Sequence, residues 1–175
     1  MFYYRKPKHK VFISYYHADD QKYKDYIDKY LSDNIINKSV VDGEYDSDNS
    51  DEYIKRLIRE EKISDSSVIV VLVGANTRKR KHVDWEIYAG LRGSINGSSA
   101  LIGILLPSVT PYGIYFSQDL PQRLGDNVDS GYAKLYTWDQ AINDFDNIID
   151  TAFNEKNSKL HKIKNGRTQM KYNLL

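Results

Sequence analysis

The chain contains no cysteine, which excludes disulfide staples, thiolate zinc sites and a cysteine nucleophile together. No apolar run approaches the roughly 18 residues of a membrane span. The opening residues, MFYYRKPKHK, lack the apolar core of a secretory signal. A cytoplasmic protein without a membrane partner is therefore expected. Charge of one sign is also missing, since the formal net charge is +1, and no global field argues for nucleic acid as a partner. G-x-G-x-x-G, P-loop and G-x-S-x-G motifs are absent, so dinucleotide reductases, NTPases and α/β-hydrolases lose their usual marks.

What is present is a chain of 175 residues, 41% hydrophobic and 28% charged, enough for one domain with a real core. Val11 to Tyr16 is rich in β-branched and aromatic residues and reads as a first strand. Asp19 or Asp20 then offers an N-cap. Tyr23, Tyr26, Ile27, Tyr30 and Leu31 share one helix face. Ser39 to Val41 is read as a second, shorter strand. A second helix is predicted from about Asn49, with Asn49 and Glu52 at capping-box spacing and Tyr53, Ile54, Leu57 and Ile58 inward. VIVVLVG (68–74) and ALIGILL (100–106) are unbroken apolar runs, the mark of strands covered on both faces. Between them a helix from about Val83 carries Val83, Ile87 and Leu91 on one stripe.

Residues 107–131 read as loop, 132–138 as a last strand, and 139–156 as a closing helix with Ile142, Phe145, Ile149 and Phe153 inward. The domain is taken to span 1–156, with 157–175 a basic tail. Strands alternating with helices imply a doubly wound α/β fold with a five-stranded parallel sheet. Its usual order is 2-1-3-4-5, with a switch point between strands one and three, where ligands bind outside the carboxyl ends. Tyr15, Tyr16 and His17 end strand one. The segment GANTRKRKHVDWE, with Asn76, Lys81 and His82, faces them from the end of strand three.

Several features admit two readings. The acidic loop DGEYDSDNSDE (42–52) fits no EF-hand register, so it is read as solvated and no metal is expected. TRKRKH (77–82) is either a solvated loop or a phosphate-attracting cluster at a helix start. His17 is either structural or a ligand contact. Glu86 is either a solvated first-turn residue or a carboxylate over the crevice. It lies about 60° round the helix from Val83, with Gly90 one turn on as a small neighbour. Asp84 is the competing carboxylate on the other side, and its loss is expected to be far milder.

VFISYYHADD resembles the first box of TIR domains. Together with SDNSDEYIKRLIREEKISDSSVIVVLVG and RKHVDWEI, the chain is similar to the bacterial TIR-like family that includes the TIR subunit of Thoeris anti-phage systems. The resemblance covers roughly residues 9–153. It implies a flavodoxin-like fold with NAD as substrate rather than as a bound cofactor. It also implies that Glu86 is the glutamate essential for breaking the nicotinamide–ribose bond, with Tyr15, Tyr16 and His17 lining the pocket. The product would be ADP-ribose or a cyclic isomer that activates a separate effector protein, and self-association would help close the site. Where many TIR enzymes carry a tryptophan four residues before the glutamate, this chain has His82, and Trp85 adjoins Glu86. Two other classes compete. One is a non-catalytic TIR-like interaction module. The other, a receiver-like domain, is disfavoured because strand three ends in Val73-Gly74 with no aspartate to accept phosphate.

Overall fold

A computed structural model describes residues 8–39, 57, 60–93, 97–110 and 113–175. Its strands are β1 (His9–Ser14), β2 (Ile35–Asn37), β3 (Val68–Val73), β4 (Ala100–Leu105) and β5 (Lys134–Thr137). All pair in parallel, in the order β2-β1-β3-β4-β5. The helices are α1 (His17–Tyr30), the helical residues 60–64 (α2), α3 (Lys81–Leu91), α4 (Gln122–Asp129) and α5 (Trp138–Glu155). No helix among the described residues is long and apolar enough to cross a membrane.

Both unbroken apolar runs are interior strands, and every residue of β3 and β4 is buried. The pleat explains why their sequences do not alternate, because successive side chains enter different cores. Val68, Val70 and Leu72 join Ile102 and Ile104 under Ile27 of α1 and Phe145 and Ile149 of α5. Ile69, Val71 and Val73 join Leu101 and Leu105 under Val83, Ile87 and Leu91 of α3 and Leu124 of α4. The predicted stripe on α3 is thus the packing face. Phe145 and Ile149 are buried as expected, while Ile142 and Phe153 are half-buried.

Several readings need correction. The second strand is Ile35–Asn37, not Ser39 to Val41. Ile35 supplies the buried side chain, and beyond Asn37 the Ser39 hydroxyl accepts from the Ile13 amide at 2.7 Å, replacing a ladder bond. Val40 and Val41 lie outside the described residues, as do the predicted start of the second helix at Asn49 and its residues Tyr53, Ile54 and Ile58. Leu57, expected inward, is 45% exposed, and Ile63 fills the core instead. Helix α1 starts at His17, with Tyr16 rather than an aspartate at the N-cap. Asp19 and Asp20 sit in its first turn, where negative charge complements the helix dipole. On the face read for α1, Ile27 is buried, whereas Tyr30 is 58% exposed and Tyr26 is also exposed, packing edge-on against Trp138.

The stretch 107–131 is not all loop. Pro121 precedes α4, a position that suits a helix start. The buried face of α4 consists of Arg123, Leu124 and Asn127, so hydrophobic periodicity does not reveal it. Residues beyond α5 form a short 3-10 turn, Asn157–Lys162, and then a strap that runs back over α4 and α3. Arg123 anchors it. This side chain is 0% exposed, yet all five of its N–H donors are placed. Nε and one terminal nitrogen donate to the two oxygens of Asp84, at 2.9 and 3.4 Å. The others donate to the Asn165 carbonyl and side-chain oxygen and to the Arg167 carbonyl, at 3.1, 3.0 and 2.8 Å. Asn127 adds a reciprocal pair with the Lys164 backbone.

Candidate functional site

The sheet order places the switch point between β1 and β3. Helix α1 leaves β1 toward one face of the sheet, and α3 follows β3 on the other. Gly90 lets α3 approach closely, because a Cβ there would lie 2.7 Å from Ile69 Cγ1. Its role is this contact with the sheet, not the space beside Glu86 that its spacing suggested.

That approach lays α3 over the end of β1. Ser14, the polar residue that ends the apolar strand, donates from its buried hydroxyl to Glu86 Oε2 at 2.5 Å. One turn earlier on α3, His82 Nε2 lies 3.1 Å from the Tyr15 carbonyl oxygen. A carbonyl only accepts, so Nε2 carries the proton in this bond. Ser14 at the end of β1 and Tyr15 just after it therefore meet two residues of α3 spaced i, i+4, which share one helix face. Glu86 is 6% exposed, so it is not a solvated first-turn residue.

Aromatic groups follow β1 and reach His82. Tyr15 is buried and its hydroxyl donates to Gln21 at 2.7 Å. The His17 ring lies 4.2 Å from that of Tyr15 and 6.5 Å from that of His82. The Arg80 guanidinium stands 4.0 Å above the Tyr16 ring, a cation–π contact. Of the residues singled out from sequence, Glu86 and His82 thus meet the end of β1 and the residue after it, His17 lies between the rings of Tyr15 and His82, and Tyr16 packs against Arg80. Asn76 sits at the rim, donating to Asp19 at 2.8 Å. Lys81 turns toward the strap, with its ammonium 5.0 Å from the centre of the Trp85 ring. Among the described residues no cluster of His, Asp and Glu is arranged to hold a metal ion.

Asp84 is not the neutral counterpart of Glu86. It is buried and ion-paired with Arg123 at 2.9 Å, and it accepts from the Met170 amide at 2.8 Å. Its loss would act on stability, because removing it strands a buried guanidinium.

Sequence reasoning also missed the group beside the crevice formed by Asp20, Gly74 and Thr77. Asp20 is buried against the turn after β3. A Cβ on Gly74 would fall 2.2 Å from Asp20 Oδ2, so only glycine admits the carboxylate there. Thr77 Oγ1 lies 3.4 Å from Asp20 and 3.2 Å from the Leu72 carbonyl, and it accepts from the Gly74 amide. Burial, reinforced by Asp19, pushes the Asp20 carboxyl up from 3.8 to about 6, against the opposing pull of Thr77 and Lys22.

The sign of the linkage follows. The folded state holds this proton more tightly than the unfolded chain does. The group's contribution is therefore fully present below pH 3.8 and lost as pH rises through about 6. Two pKa units correspond to on the order of 3 kcal/mol. Asp20→Asn should accordingly raise stability at pH 7 and flatten its decline between about pH 4 and 6. Urea denaturation across that range reads both effects, and an unchanged pH slope in the variant would contradict the assignment.

No curated protein matches the chain at a significant level. The sequence profile of the family described as Thoeris protein ThsB, TIR-like domain, matches residues 12–111. That span covers more than half of the chain and contains the end of β1 and all of α1, β2, β3, α3 and β4. It includes Ser14, Tyr15, Tyr16, His17, His82 and Glu86, and it leaves out α4, β5, α5 and the strap. With its flavodoxin-like parallel sheet and this match, the chain belongs to the Thoeris ThsB TIR-like family.

Proposed function

We propose that this Thoeris-type TIR-like protein is an NAD-consuming enzyme whose nucleotide product signals to a separate effector in anti-phage defence. The observation that carries the reading is the enclosed Glu86 carboxylate, fixed by Ser14 at the carboxyl end of β1. Parallel α/β sheets bind ligands at this switch point.

The chemistry suits a lone carboxylate. The bond between the ribose C1′ and the pyridinium nitrogen breaks with its electron pair going to nitrogen, so nicotinamide leaves neutral and no strong general acid is needed. Positive charge develops on the ribose as an oxocarbenium-like state. A preorganised carboxylate in a site with little water stabilises that charge or orients the ribose hydroxyls. Water adding to C1′, with loss of a proton, gives ADP-ribose. Attack by another group of the same nucleotide gives a cyclic isomer, an outcome favoured when the pocket is closed and lined with aromatic rings. Arg78, Lys79 and Arg80 supply positive charge for the dinucleotide's pyrophosphate. Self-association of the chain would complete the enclosure, and a cytoplasmic location belongs to the same reading.

The test is direct. Purified protein should release nicotinamide from NAD once assembled, and cells carrying it should change their NAD-derived metabolites on phage challenge, as read by mass spectrometry. A second reading, a non-catalytic interaction module, is favoured by Ile114 and Phe116, which are 66% and 64% exposed between β4 and α4. Unchanged NAD metabolites in a challenged, protected strain would select it.

A further inference from the structure

The first turn of α3 is poorly stabilised by its own sequence. Its N-cap residue, Arg80, provides no capping side chain. Arg78, Lys79, Arg80 and Lys81 crowd cations at the positive end of the helix dipole. The acid of that turn, Asp84, is committed to Arg123 and Met170. Yet this turn carries His82 and leads directly into Glu86.

The strap supplies what is missing. Asn173 Oδ1 accepts from the Lys81 amide at 2.9 Å, satisfying the first of the amides that a helix start leaves without an intrahelical partner. The Leu174 amide donates to the Lys79 carbonyl at 2.9 Å. Trp85 Nε1 donates to the Met170 carbonyl at 2.8 Å. At the far end of the helix, Asn165 donates to the Tyr88 carbonyl at 3.1 Å. From Lys79, just before α3, to Tyr88 near its end, the chain is thereby tied to one segment lying 77 to 95 residues away in sequence. Two of these ties, at Lys81 and Trp85, fall on the turns that hold His82 and Glu86.

We infer that the strap is a positioning element of the site, with Asn173 acting as a surrogate N-cap that holds α3, and through it Glu86, against the end of β1. As a statement about catalysis, this rests on the reading of the site as an NAD-cleaving centre. Asn173 touches no reacting atom; it acts through the helix.

The experiment uses the full chain and three variants. Asn173→Ala removes the acceptor. Asn173→Asp keeps it and adds a charge suited to a helix start. Trp85→Phe removes the donor to Met170 while keeping aromatic volume. Amide hydrogen exchange and the kinetics of nicotinamide release are read on each. Asn173→Ala should exchange about fivefold faster at Val83 to Glu86, the size of a lost cap. Its kcat should fall by a similar factor with KM within about twofold of the parent. Asn173→Asp should restore both, and Trp85→Phe should follow Asn173→Ala in direction. The proposal is overturned if faster exchange is confined to the Lys81 amide while kcat stays at the parent value, or if Asn173→Asp does not rescue. If the parent chain itself releases no nicotinamide, that failure belongs to the enzymatic reading. Exchange at Val83 to Glu86 then decides the positioning role alone.

Discussion

Glu86→Gln should leave the fold intact and remove product formation. Glutamine matches glutamate in size and retains an oxygen that accepts the Ser14 hydroxyl, so the contact between β1 and α3 survives. What disappears is the negative charge. In an enclosed site, loss of one preorganised electrostatic contact costs on the order of 3 kcal/mol of barrier, about a hundredfold or more in rate. Asp25→Asn is the appropriate control, since Asp25 lies exposed on α1 and its change removes the same charge away from the crevice. Nicotinamide release and product mass spectrometry on both variants provide the comparison. Parent-level turnover by Glu86→Gln, in a preparation with a native melting profile, would remove Glu86 from the chemistry.

Arg123→Ala should be the most destabilising single change in the described structure. It leaves the Asp84 carboxylate buried without its cation and removes three donors from the strap backbone and Asn165. Breaking a buried pair by deleting one partner costs about 3–5 kcal/mol. In a chain of this size that lowers the melting temperature by roughly 10 °C or more. Asp84→Asn should lie on the same scale but somewhat lower, because the amide oxygen still accepts one bond. Urea denaturation measures both. A loss below about 1 kcal/mol for Arg123→Ala would mean that the network contributes little and that the strap is held by other contacts.

The sequence was legible wherever burial is apolar and periodic. The runs at 68–74 and 100–106, the stripe Val83, Ile87, Leu91 on α3, and the crossing of β1 with α3 follow from pleat and helix pitch. Glu86 was located by its angle from Val83, together with the family resemblance. What escaped was burial by polar groups. Helix α4 buries an arginine and an asparagine beside Leu124, so its inward face reads as surface. The strap reads as a basic tail because its hold on the domain comes mostly from backbone groups, which composition does not show. Asp84 read as a spare carboxylate for the same reason, since its partner lies 39 residues away. Ser14 carried a signal that was not used, as the polar residue closing an apolar strand. The short β2 was misplaced by a few residues because Ile35 and Val40 offer similar apolar cues, and only pairing with His9 to Val11 separates them.

The distance between α3 and the strap along the chain also sets an order of events during synthesis. Met170, whose carbonyl receives the Trp85 indole, is made 85 residues after it. At about 5–20 residues per second that is a delay of roughly 4 to 17 seconds. Throughout that interval the nascent α3 carries its cationic first turn without its surrogate cap, and Arg123 waits for Asn165 and Arg167. The turns of α3 that hold His82 and Glu86 therefore mature late, after translation has passed the sheet and helices around them.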